Sequence, residues 1–197
     1  MPEAQEGLAG MGERTMTIFD DDKSWAAGLR PAALAIYQRL FPGCMVEEHK
    51  IEDGKHVHEL DKGYGIDCHL RLSSKCILTL QEKYRRNSYY RFHDYTQEYI
   101  NGFETAMQKE GEWFHMAADF CFYGWADEAG TGFVDWMLID VSRFKASLCT
   151  MDKFLEAGVK WIPNKRHGSA LFFTLPVESL RSRRCIYAEK TSMEDAT

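Results

Sequence analysis

Long apolar runs are missing from this 197-residue chain, and none approaches the roughly 18 residues needed to cross a bilayer. A leader pattern is missing too. Met1–Glu13 is polar and Gly-rich, without a basic-then-apolar order, so a secretory signal is not expected there and a cytoplasmic protein is. Paired cysteines are absent. Cys44, Cys68, Cys76, Cys121, Cys149 and Cys185 form no C-x-x-C unit, which argues against a closed zinc site and leaves buried free thiols as the expectation. An excess of positive charge is lacking as well. The net charge of −6 disfavours strong, non-specific nucleic-acid binding but leaves room for a local basic patch. No internal repeat, low-complexity segment or linker divides the chain. One domain over 1–197 is expected, with 1–16 and 188–197 as loose ends.

What is present is an ordinary apolar share of 45% and an aromatic share of 13%, enough for one sizeable core. Trp25, Leu29, Ala33, Ile36 and Leu40 recur at helical spacing, predicting a helix over Ser24–Phe41. Asp20, Asp21 and Asp22 precede it, and Pro42-Gly43 ends it. Extended stretches follow at Cys44–Glu52 and Lys55–Leu60, separated by the Asp53-Gly54 turn, and Asp61-Lys62-Gly63 reads as another turn. Residues 85–95 read as a polar, aromatic loop. Thr96–Gly111 and His115–Tyr123 fit either helix or strand. Phe133–Val141 and Ala170–Leu175 are strand-like, and Ser142–Leu155 is helical. Helices and strands mixed in this order suggest a mixed sheet with flanking helices, α/β or α+β.

The segment richest in chemistry is a hairpin, Gly65–Leu72 and Cys76–Tyr84 about Ser73-Ser74-Lys75. Alternation puts Ile66, Cys68, Leu70 and Leu72 on one face of the first strand and Asp67, His69 and Arg71 on the other. In the second strand, Ile77, Thr79, Gln81 and Lys83 lie opposite Cys76, Leu78, Leu80 and Glu82. With the turn centred on Ser74, Asp67 falls across from Gln81, His69 from Thr79 and Gly65 from Lys83. A carboxylate, an amide and an ammonium then gather where the hairpin opens. A one-residue register slip undoes this.

Gly65-Ile66-Asp67 followed by a hairpin and Gln81-Glu82-Lys83 resembles the PD-(D/E)XK nuclease superfamily, over about residues 59–86. The resemblance implies an α/β, restriction-endonuclease-like core, a mixed central β-sheet flanked by α-helices. It implies a DNA-hydrolysing enzyme of phage or mobile-element type with Mg²⁺ or Mn²⁺ as cofactor. Asp67 would then be a metal ligand and Lys83 the catalytic lysine. Gln81 stands where the family usually has an acid; its carbonyl oxygen can ligate a hard cation but brings no charge. Asp61 or Glu59 could add a carboxylate, and Glu82, pointing the other way, ranks below them. Asp61 could equally be a turn residue and Glu59 a solvent-facing one. His56, His58 and His69 do not have zinc-site spacing.

Tyr84, Arg85, Arg86 and Arg91, with Tyr89, Tyr90 and Phe92 among them, follow the hairpin and suit contacts to phosphate and base. A solvated loop explains them equally well. Two further basic clusters, Arg181/Arg183/Arg184 and Lys160/Lys165/Arg166/His167, read as solvated faces. Asp119, Asp135 and Asp140 are expected to accept hydrogen bonds, and Trp113, Trp125, Trp136 and Trp161 to build the core. DNA is the expected partner, with no membrane contact and self-association left open. Two other readings stay open: a nuclease-fold protein without activity that binds nucleic acid or protein, and an unrelated α+β enzyme in which the hairpin is scaffold.

Overall fold

Alternation along the hairpin sorts its side chains onto two faces, and each face acquires a different covering layer. The computed structural model describes residues 18–48, 59–164 and 169–190. In chain order the elements are α1 (Ile18–Leu40), β1 (Met45–Glu48), α2 (Glu59–Tyr64), β2 (Cys68–Ser73), β3 (Cys76–Arg85), a 3-10 turn (Asn87–Phe92), β4 (Asp94–Asn101), β5 (Lys109–Glu110) and α3 (Glu112–His115). There follow β6 (Phe120–Ala126), β7 (Phe133–Asp140), α4 (Val141–Ser147), α5 (Met151–Glu156), β8 (Lys160–Asn164), β9 (Ala170–Pro176), α6 (Val177–Ser182) and β10 (Ile186–Glu189). Among the described residues no helix is long and apolar enough to cross a membrane.

Six strands form a mixed sheet in the order β1-β2-β3-β6-β7-β10, and four form a second sheet, β5-β4-β9-β8. Within the first sheet β3 and β6 run parallel, whereas the other neighbours are antiparallel. A parallel pair needs a long crossover. Here that crossover is residues 86–119, and it carries β4 and β5 into the second sheet before α3 brings the chain back.

One face of the large sheet is covered by α1. Cys68, Leu70, Leu80, Phe122 and Leu138 pack there against Ala33 and Tyr37, all fully buried. Tyr37 meets Phe122 edge-on, ring centres 5.3 Å apart. Such pairs contribute about 0.5–1.5 kcal/mol beyond the area they bury. The other face is covered by the four-stranded sheet. Cys121, Tyr123, Trp125, Met137 and Ile139 meet Tyr95, Phe173 and Leu175 across a dry layer, with Trp113 and Phe144 closing one side.

The α/β class and the mixed sheet agree with expectation, but a second sheet, not a layer of helices, covers one face. Thr96–Gly111 resolves into β4 and β5, and His115–Tyr123 divides between α3 and β6. The first helix starts at Ile18, so Asp20–Asp22 lie within its opening turns instead of ahead of it. Asp61-Lys62-Gly63 belongs to α2 and is not a turn. The helix expected over Ser142–Leu155 breaks in two at Leu148–Thr150, where Thr150 caps α5 by accepting from the Lys153 amide. Ala188 and Glu189, placed among the loose residues, pair with Leu138 and Met137. Cys44, Cys68, Cys121 and Cys185 are buried free thiols; Cys76 and Cys149 are exposed, Cys76 because it opens β3 at the hairpin turn. The Asp53-Gly54 turn, most of the Lys55–Leu60 stretch, His56, His58 and Lys165–His167 lie outside the described residues.

Candidate active site at the open end of the hairpin

The hairpin has the register expected of a turn centred on Ser74. Cys68 pairs with Leu80, His69 with Thr79, Leu70 with Leu78 and Arg71 with Ile77, before an irregularity at Ser73. At Asp67 the two strands separate. Its backbone N–H still reaches the Leu80 carbonyl, at 2.7 Å, while its carboxylate accepts the backbone N–H of Glu82. Asp67 therefore takes the place of the next backbone acceptor and ends the ladder with a charge. Gly65, two residues earlier, has a φ of +58°, and a Cβ there would stand 3.0 Å from the Gln81 amide nitrogen. A residue without a side chain is needed for the chain to turn this closely over Gln81.

Gln81 and Lys83 point to the face covered by the four-stranded sheet, where both meet Glu112. Gln81 Nε2 and Lys83 Nζ donate to the two Glu112 carboxylate oxygens, one each. Gln97 Nε2 adds a third donor at 2.9 Å, and the Tyr95 hydroxyl donates to Gln97 Oε1. Glu112 opens α3, which is pinned to β4 by Gly111; the Gly111 amide donates to the Tyr99 carbonyl at 2.9 Å, and a Cβ at Gly111 would clash with that backbone. The sequence reading missed Glu112. Its only local signal is an acid in the first turn of a helix just after a glycine.

The electrostatics of this face determine what Lys83 can do. Burial works against its charge, but Glu112 more than offsets burial and holds the ammonium above its usual pKa. Lys83 is therefore a fixed cation at neutral pH, suited to stabilising negative charge and unsuited to acting as a base. Its neighbour Cys121 is pushed up to about 12, chiefly by burial, and stays a thiol. Gln81 is 2% exposed, and its Oε1 has no hydrogen-bond partner among the described residues. A buried acceptor left unpaired costs about 1–3 kcal/mol, so an oxygen in this state invites a donor or a cation.

Glu82 points the other way, as alternation requires. It accepts from Arg30 and from the Tyr37 hydroxyl on α1. Arg30 also reaches Glu48 at 2.9 Å. Burial opposes the Arg30 charge, yet Glu82, Cys68 and Glu48 together outweigh it and keep the guanidinium above its ordinary value. On this side Asp67 and Glu82 share a cleft of about 510 Å³ with Tyr84, Arg85 and Arg86. Arg86 lies 4.7 Å over the Trp25 ring and Arg85 4.4 Å over Tyr89. Tyr84 is packed between Phe122 and Phe133, while Arg91 stacks on Phe92 at 4.8 Å on the exposed 3-10 turn.

Gln81 and Lys83 are thus brought together, and Asp67 stands beside them at the sheet's edge, close enough to bear on the ionisation of both Cys68 and Cys121. Its carboxylate accepts the Glu82 amide and lines the cleft on the Glu82 side. The side chains of Glu59 and Asp61 lie outside the described ones, although α2 runs into this turn. Among the described residues no group of three or more His, Cys, Asp or Glu side chains is arranged to hold a metal ion. The Asp67 carboxylate and Gln81 Oε1 are hard oxygen donors of the kind Mg²⁺ takes, and Mg²⁺ accepts as few as one or two carboxylates when water and substrate phosphate complete its shell.

The other acids have structural partners. Asp119 accepts from the Thr79 amide and hydroxyl at 2.8 Å each, Asp140 caps α4, and Asp135 meets His93 Nε2 at 3.0 Å. Arg181 is held by Glu178 and Glu189. Trp113, Trp125 and Trp136 are buried, and Trp161 packs against Tyr99, Phe154 and Phe173 at the rim of the core. No protein-family model, curated protein or solved structure matches the chain.

Proposed function

We propose that this chain is a metal-dependent nuclease that hydrolyses DNA phosphodiester bonds at the open end of the β2–β3 hairpin, in the manner of the PD-(D/E)XK superfamily that its Asp67 and Gln81-Glu82-Lys83 resemble. The observation that carries the reading is Gln81: a buried side chain whose Oε1 has no hydrogen-bond partner among the described residues, two residues from a fixed ammonium and just beyond the last hairpin pair, Cys68 with Leu80, where Asp67 begins the open end. Asp67 and Gln81 would hold Mg²⁺ or Mn²⁺, with Glu59 or Asp61 as the source of a further carboxylate. Such an ion lowers the pKa of bound water and neutralises phosphate charge. Lys83 contributes a fixed positive charge toward the phosphate as negative charge builds on it. Glu112 is a positioning residue, setting the Lys83 ammonium and turning the Gln81 amide so that its nitrogen faces inward. Arg85 and Arg86 would bear on the backbone of the substrate strand.

The test is cleavage of plasmid and linear DNA with Mg²⁺ or Mn²⁺. Asp67→Ala and Lys83→Ala should each lower the rate about a thousandfold. Cleavage that persists in both variants contradicts the reading. A second reading, a nuclease-fold protein that binds without cutting, is favoured by the amide in place of an acid at position 81. Manganese titration separates the two: no binding at Asp67 combined with retained DNA affinity selects the second.

A further inference from the structure

Two clefts meet at Arg85 and Tyr89. The first holds Asp67. The second, about 760 Å³, runs from that junction over the outer face of the four-stranded sheet to β8. Its walls are largely apolar: Phe92 is 56% exposed and Ile162 46%, with Pro163 and half-buried Phe172 beside them. Exposed aromatic and aliphatic groups along a groove leave apolar surface in water, a state that marks a binding site more often than a bare surface. At the junction Arg85 stacks on Tyr89, and its Nε is buried with no partner. The groove also holds Asp94, whose charge is faced by Arg85 and Lys160.

This chemistry selects among occupants. A duplex offers phosphates on its outside and hides its base faces, so holding it calls for clustered cations. Among the described residues the groove has one arginine, at its mouth, and the chain as a whole carries −6. A single strand offers base faces, which stack on aromatic rings, and one phosphate per step for a cation. We propose that the groove receives single-stranded DNA leading into the reaction site, with bases against Phe92, Ile162 and Phe172 and a phosphate on Arg85. The proposal rests on the nuclease reading and narrows its substrate to a strand that is unpaired next to the cut.

Fluorescence anisotropy on the full chain tests it, with EDTA present so that binding is read without cleavage. The probes are an oligothymidine strand of about twelve nucleotides, within the usual span of such grooves, and a duplex of equal length. The strand should bind at least about tenfold more tightly than the duplex, and Phe92→Ala and Ile162→Asp should each weaken strand binding roughly tenfold, the loss of one stacked base. Both side chains are exposed, so the melting temperature should not move. Arg85→Ala should flatten the salt dependence by about 0.7 in log–log slope, one phosphate contact on a single strand. Equal or tighter duplex binding, no strand binding, or strand affinity unchanged in both groove variants overturns the proposal. An Asp67→Ala protein that still cleaves would fell the nuclease reading while leaving the strand-binding result intact.

Discussion

The two faces of β3 carry similar groups put to different ends. On the α1 side, Glu82 is enclosed by Arg30 and the Tyr37 hydroxyl, an ion pair locking a helix to a sheet. On the other side, Glu112 gathers Lys83, Gln81 and Gln97, and the same cluster leaves Gln81 Oε1 without a partner. Alternation alone separates these sets. One residue of register would exchange them. The contrast teaches that a buried acid–base pair says little by itself. What sets the Glu112 side apart is an acid shared by an ammonium and two amides; a buried oxygen with no hydrogen-bond partner among the described residues occurs on both sides, Gln81 Oε1 on one and the Tyr84 hydroxyl on the other.

Removing the acid on each side tests the contrast. Glu82→Ala leaves the mostly enclosed Arg30 guanidinium with the half-exposed Glu48 as its remaining carboxylate and should cost about 3 kcal/mol in urea unfolding, since breaking a buried pair is expensive. A loss under about 1 kcal/mol would place the pair with ordinary surface ion pairs. Glu112→Gln should cost less, about 1–3 kcal/mol, because Glu112 is 35% exposed and the amide still accepts hydrogen bonds. Its sharper signature is the Lys83 titration, which should drop once burial is unopposed; NMR of the ammonium would show it, and an unmoved value would contradict the role given to Glu112. Gly65→Ala should cost about 1 kcal/mol or somewhat more from backbone strain at positive φ and displace the Gln81 amide. A crystal structure with Gln81 in place would refute that coupling.

The pH dependence has a definite sign. Because the folded Lys83 pKa lies above its unfolded value, its stabilisation is complete below that unfolded value of about 10.4 and is lost as pH rises through the raised folded one. The gap in unfolding free energy between wild type and Lys83→Met should therefore stay level from neutral pH to about 10 and shrink above it. A wild type that instead gains stability over Lys83→Met between pH 7 and 9 would mean Lys83 titrates low and is available as a base.

The hairpin was legible because two local rules converge on it: strict alternation in Ile66–Leu72 and a short turn that halves the sequence between Asp67 and Gln81. The second layer was not. Its strand β4 alternates Tyr95, Gln97 and Tyr99 inward, and the buried amide of Gln97 blurs an otherwise apolar period. β8 in the same layer contains Pro163 and is mostly exposed, and β10, at the edge of the large sheet, is four residues long, so neither carries a strong strand pattern. Glu112 was hidden for another reason. It is 31 residues from Gln81 in sequence and reaches it only because the parallel β3–β6 pair forces a long crossover that folds back over β3. Long-range placement of this kind leaves no local trace.

The central claim is tested most directly by divalent-metal-dependent cleavage of DNA in wild type, Asp67→Ala and Lys83→Ala, each first shown to be folded by thermal melting. The account predicts cleavage by the wild type with Mg²⁺ or Mn²⁺, none with EDTA, and rates about a thousandfold lower in both variants. Cleavage that survives both substitutions, or a folded wild type that neither cuts DNA nor binds Mn²⁺, would contradict it.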